Sequence, residues 1–189
     1  MFLGAEIGFM SKAEIAAGGT LIQTDTGWLS AGSTSQLSDG DTAWSNRGNA
    51  ASSNNVYMTA SLGSGTKSTH TGLFTNFAAS IPSGATITGV AVQAERKASN
   101  NTRGKDQTVQ LIIGGSQAGD NKANATAYTT SDVTVSYGGA GDLWSNAISQ
   151  AQAIASDFGV AFRSNNNANG TSTISIDMVQ LKIFYEYYA

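Results

Sequence analysis

The segment SYGGAGDLWSN, Ser136 to Asn146, sets Gly138, Gly139 and Gly141 ahead of an acid and an indole. Glycine-rich loops hold phosphate when their backbone amides converge at a helix N-terminus. A Walker loop also needs a Lys and a Ser or Thr after its last glycine. A dinucleotide loop needs G-x-G-x-x-G inside a strand–helix–strand unit. Neither pattern is present. Asp142 stands where a helix would begin, where an acid acts as a cap and opposes a second anion. The segment therefore reads as a structural turn between a strand and a short helix, seating Trp144.

Other chemistry-bearing residues are sparse. His70 is the only histidine, in STHTG, which reads as an exposed polar link. No G-x-S-x-G nucleophile elbow accompanies it. Asp39 and Asp41 in SDGDTAW could offer oxygens to a cation, but the EF-hand pattern is absent. Hydrolysis of glycosides needs two acids facing one another across a cleft. Glu95, beside Arg96, reads as a solvated strand end. Asp106, Asp132, Asp157 and Asp177 fall at strand boundaries or a bulge, where turn and edge roles are ordinary. No catalytic residue, metal ligand or cofactor is assigned. Trp28, Trp44 and Trp144 and the tyrosines are placed in packing and subunit contacts, while an exposed pair of rings could stack on a sugar.

The elements that must position these groups are strands. NNVYMTASL alternates Val56, Met58, Ala60 and Leu62 on one face. Leu73 and Phe74 lead a strand, IPSGA turns at Pro82, the only proline, and TITGVAVQAERK is a long strand. QTVQLIIGG carries Val109, Leu111 and Ile113 in step, and SDVTVSY carries Val133, Val135 and Tyr137. DFGVAFRS and TSTISIDMVQLKIFYEYY flank NNNANG and predict a hairpin with an Asn169-Gly170 turn. In the last strand Ile174, Ile176 and Met178 keep even register. Val179, Leu181, Ile183, Tyr185 and Tyr187 keep odd register. The slip at Met178-Val179 predicts a β-bulge. Phe184 and Tyr188 lie out of phase with the later row and form a candidate interface. NAISQAQAIASDF has helical spacing, with Ser145 or Asn146 as cap. These elements predict an all-β protein, an antiparallel β-sandwich or jelly roll of seven or eight strands with one short helix.

Residues 1–26 are assigned to an N-terminal arm and 27–189 to the sandwich. The arm opens MFLGAEIGFMSKAEIAAGG, apolar but interrupted by Glu6 and Glu14 and without the basic start of a signal peptide. Phe2, Leu3, Ile7 and Phe9 are its candidate contacts. Ser11, Glu14 and Gly18 suit the start and end of a short helix.

Composition narrows the partners. Only 12% of the 189 residues are charged and the net charge is −3, against about 25% charged in ordinary domains. Gly, Ser, Thr, Asn and Ala replace the charge, giving a surface that attracts neither phosphate backbones nor anionic lipid. Nucleic acid and membrane are not expected as partners. There is no cysteine, so neither disulfides nor thiolate metal sites are available. No apolar run reaches the roughly 18–20 residues of a membrane span.

FTNFAASIPSGATITGVAVQAERKA, YGGAGDLWS, DFGVAFR and IDMVQLKIFYEY stand in an order that resembles structural proteins of tailed-phage virions, over about residues 40–188. Such proteins serve in head decoration, tail fibres or minor structural components. The resemblance implies that IPSGATITGV packs the sandwich and that GGAGDLW is a corner with Trp144 buried. It also implies localisation to the virion and contact with other virion proteins. The expectation is a non-enzymatic capsid decoration or cement protein, docked by its arm as a homo-oligomer. The alternative is a tail-fibre or spike module that binds a host surface glycan.

Overall fold

A computed structural model describes residues 19–189. The strands are β1 (Leu21–Asp25), β2 (Leu29–Ser30), β3 (Ser33–Gln36), β4 (Met58–Leu62), β5 (Gly65–Ser68), β6 (Gly72–Thr75), β7 (Thr86–Ala98), β8 (Gly104–Ile113), β9 (Ser116–Ala118), β10 (Val133–Gly139), β11 (Gly159–Ala168) and β12 (Ser172–Tyr188). A single helical turn, α1 (Gln150–Ala153), precedes β11. All strand pairs are antiparallel, in two six-stranded sheets. The chain is therefore an all-β antiparallel sandwich, as its alternating patterns predict.

The first sheet is built on β12, which pairs with β7 along most of its length. β4, β2 and β1 follow one another along its other side, and β10 closes the sheet beyond β7. The second sheet runs β3-β6-β11-β8-β9, with β5 also on β11. The inward residues of β7 and β12, among them Val90, Val92, Ile176, Val179 and Leu181, meet Phe74, Val109, Leu111, Val160 and Phe162 of the second sheet. Pairing of β12 with β7 shifts between Ile176 and Met178, so the predicted bulge is present but its extra residue is Asp177, one step before the expected Met178-Val179. Pro82 and Gly84 (φ 80°) make the predicted turn, with Ala85 N–H donating to the Pro82 carbonyl.

Several expectations are corrected. β11 and β12 are not a hairpin. β12 has neighbours on both sides, so the chain crosses at Asn169-Gly170 from the second sheet to the first. Leu21–Asp25, assigned to the arm, forms β1 against Phe184–Tyr188, so the sandwich takes in residues before Gly27. The helix is capped by Ser149, not Ser145 or Asn146. The Ser149 hydroxyl accepts from Gln152 N–H and the Gln152 side chain accepts from Ser149 N–H. Trp144 and Ser145 have left-handed backbones (φ 56° and 57°), and the helix begins only at Gln150. Val56 is exposed rather than in the strand face, because β4 begins only at Met58. Phe2, Leu3, Ile7 and Phe9 lie outside the described residues, as does the helix predicted there.

Candidate functional site: the outer face of the first sheet

The glycine segment is the corner expected of it. Gly138 and Gly139 end β10. A Cβ on Gly138 (φ 69°) would meet the Val90 carbonyl and the Trp144 indole, so glycine is required there. Trp144 is fully buried, and its indole N–H donates to the Val90 carbonyl at 2.8 Å. Its own backbone N–H donates to Asp142 Oδ1 at 2.8 Å. Burial would raise the Asp142 carboxyl, but the Lys122 ammonium and the Trp144 amide hold it below its ordinary value. The amides of this turn thus serve the fold. The loop also packs on Gly89, where a Cβ would strike the carbonyls of Gly139 and Ala140.

Of the other sequence candidates, Asp39 and Asp41 both bind the Ser68–Thr71 stretch that holds His70, and Glu95 and Asp106 lie elsewhere. Asp39 accepts from the Thr71 amide and hydroxyl and pairs with Arg163 at 3.5 Å. Asp41 accepts from the Ser68 amide and pairs with Lys67 at 3.1 Å. His70 is half-buried between Thr69 and Thr71, both buried, so STHTG is not an exposed link. Its backbone carbonyl accepts from the Trp44 indole, which packs beneath it. Glu95 lies within β7 rather than at a strand end. Arg96 and Asp106 are buried in the core, not at solvated boundaries. Asp106 accepts from the hydroxyls of Tyr128 (2.5 Å) and Tyr137 (2.8 Å), and Arg96 lies 3.3 Å away. The Arg96 guanidinium covers the Tyr128 ring at 3.9 Å. Burial, then the Asp106 charge, pushes both phenols up. Charged residues read as exposed in a sequence, and only the opposed partner on another strand reverses that.

What the fold does bring together is on the outer face of the first sheet. Side chains alternate in strands, so Gln93 on β7 and Gln180 and Lys182 on β12 point away from the core. Gln93 Nε2 donates to Gln180 Oε1 at 2.6 Å, and Gln180 Nε2 donates to Ser30 Oγ at 3.2 Å. This is a polar row across three strands. Beside it Lys182 lies 5.0 Å from the Trp28 ring, 5.8 Å from the Phe184 ring and 3.7 Å from Asp25. Trp28 is 37% exposed and Phe184 half-buried. A shallow cleft of about 430 Å³ opens here between Asp25, Thr88, Phe184 and the loop at Ala140-Gly141. Tyr188, the other interface candidate of this strand, is exposed at the sheet margin.

Farther along the face, Tyr57 reaches Lys97 and Asp132. Lys97 Nζ donates to the Tyr57 hydroxyl at 2.7 Å and to Asp132 at 3.1 Å. The bond to Tyr57, then that to Asp132, raises the Lys97 ammonium above its ordinary value. A second cleft of about 270 Å³ lies beside Lys97, Thr130 and Ser175. Gln180 and Lys182 alternate with the row of Val179, Leu181 and Ile183 and so face outward in the sequence pattern itself; no such pattern sets Gln93 and Trp28 beside them.

No protein-family model matches the sequence and a search of curated proteins returns no match. Two solved structures are similar in shape. One, described as "CBM4 structure and function", has a TM-score of 0.40 and 14% identity, with 82% of this chain and 93% of that chain covered. The other, a "xylan-binding module CBM15", has a TM-score of 0.34 and 14% identity, with 88% and 97% covered.

Proposed function

We infer that this chain is a non-enzymatic sandwich module that holds a neutral glycan on the outer face of its first sheet. The observation that carries the reading is the partly exposed Trp28 ring beside the Gln93–Gln180–Ser30 row. A pyranose has an apolar C–H face that stacks on an indole and a rim of hydroxyls that both donate and accept. Carboxamides and hydroxyls do the same. Lys182 pairs with Asp25 and Lys97 with Asp132, and Glu95 and Glu186 add negative charge to this face, which suits an uncharged ligand better than an acidic polymer. The test is a glycan array probed with the intact chain and with Trp28→Ala. Neutral glycans should be retained by the natural protein and weakened at least tenfold by the substitution, with an unchanged melting temperature. An array without hits on folded protein overturns the reading.

The setting that the sequence resemblance supports is a virion, with the module as a decoration or tail-fibre component contacting other virion proteins. Two local roles that the resemblance implies, the Pro82 turn and the buried Trp144 corner, stand in the structure. Docking by the arm is tested by deleting residues 1–18, before β1. Particle binding should be lost while the sandwich still folds. Full occupancy by the truncated chain removes that role from the arm.

A further inference from the structure

β10 is an edge of the first sheet. Among the described residues its strand partner is β7, in unbroken register from Val133↔Arg96 to Gly139↔Val90. Proteins protect sheet edges with charges, prolines, bulges, covering loops or very short strands. β10 spans seven residues, VTVSYGG, with no charge and no proline. The other edges differ. β3 and β9 are only four and three residues long, β5 carries Lys67, β1 ends on Asp25, and β4 is covered by the bridge of Ser45 to Thr59. Val133, Thr134 and Ser136 are exposed, Val133 by 41%.

The strand is complementary to itself. Antiparallel pairing of two β10 strands about Val135 sets Thr134 against Ser136 on the outer face. On the inner side it sets Val135 against Val135 and Val133 against Tyr137. Directly opposed residues of like character are the unit that stabilises such a pair. The nearest charged residue, Asp132, falls opposite Gly138, so no like charges meet. We propose that two copies of this chain pair through β10 as a two-fold dimer, joining their first sheets into one continuous sheet. The two outer faces then lie side by side. The pairing stands whether or not that face holds a glycan.

The intact chain should run by light scattering at twice its 19.4 kDa at micromolar concentration. The chain has no cysteine, so a single introduced cysteine can only link two copies. Val135→Cys should give a disulfide-linked dimer in high yield under mild oxidation, and Val133→Cys, set opposite Tyr137, should not. Thr134→Lys combined with Ser136→Lys should return the mass to 19.4 kDa with an unchanged circular dichroism spectrum. A natural chain that stays monomeric overturns the proposal, whether the edge is left open, takes another segment of the same chain or awaits a different protein. Equal cross-linking at positions 133 and 135 overturns the register. A dimer that survives the double lysine substitution places the interface elsewhere.

Discussion

The Asp177 carboxylate accepts the backbone N–H of Asn55 at 2.9 Å, binding the bulge of β12 to a loop far behind it in the chain. The same carboxylate takes the amides of Asn54 and Val56, and its residue is 1% exposed. The extra residue of the bulge is thus a clamp. Tyr57 follows the clamped amides directly and reaches Lys97 and Asp132 from there.

Asp177→Ala should leave the Asn54 and Asn55 amides without their acceptor, while Val56 keeps Asn54 Oδ1, and destabilise the fold by about 1–3 kcal/mol, measured by urea unfolding. The Tyr57 resonances should shift with it. Tyr57→Phe, which leaves the clamp intact, should change stability by less than Asp177→Ala does.

The buried Arg96–Asp106 pair predicts an asymmetry. Asp106→Ala alone strands a guanidinium in the core and should destabilise by about 3–5 kcal/mol. Arg96→Met with Asp106→Leu should be less destabilised than Asp106→Ala, since no charge is left unpaired. Destabilisation equal to the sum of the single effects would show that the two side chains do not couple.

Tyr128 and Tyr137 set a limit at high pH. Burial and the Asp106 charge raise both phenols above their ordinary value. Above about pH 10 the unfolded chain releases phenolic protons that the folded chain keeps. The unfolded state then binds fewer protons, so stability falls as pH rises beyond that point. Denaturant midpoints measured from pH 8 upward should decline past pH 10, and Tyr137→Phe should lessen the slope.

Trp144→Ala should cost about 3–5 kcal/mol, the range for truncating a buried large aromatic. Trp144→Phe should cost less, since a smaller phenyl still fills part of the site, but it leaves the Val90 carbonyl without its indole donor. Equal melting temperatures for the natural chain and Trp144→Ala would remove this corner from the core.

The sequence made the long strands legible because a half-buried strand writes its alternation into fifteen or so residues, as β7 and β12 do. The bulge was legible for the same reason, as a break in that phase. Partner choice was not. An Asn-Gly turn reports a local reversal, but the sheet each arm joins depends on which edges are vacant, and β12 had none left for β11. The candidate face was legible only in part. β1 and β2 are too short to show a period, so nothing in the sequence set Trp28 beside Lys182.

β12 follows β1, β2, β4 and β7 in the chain, yet all four pair with it. During synthesis none of those earlier strands can complete the first sheet until residues 172–188 have left the ribosome. A nascent chain halted before Ser172 would therefore present the apolar inner side of β7 without its central neighbour. Such topologies close through contacts distant in sequence and fold slowly. Ribosome-bound intermediates ending before β12 are accordingly the species for which chaperone capture should be greatest.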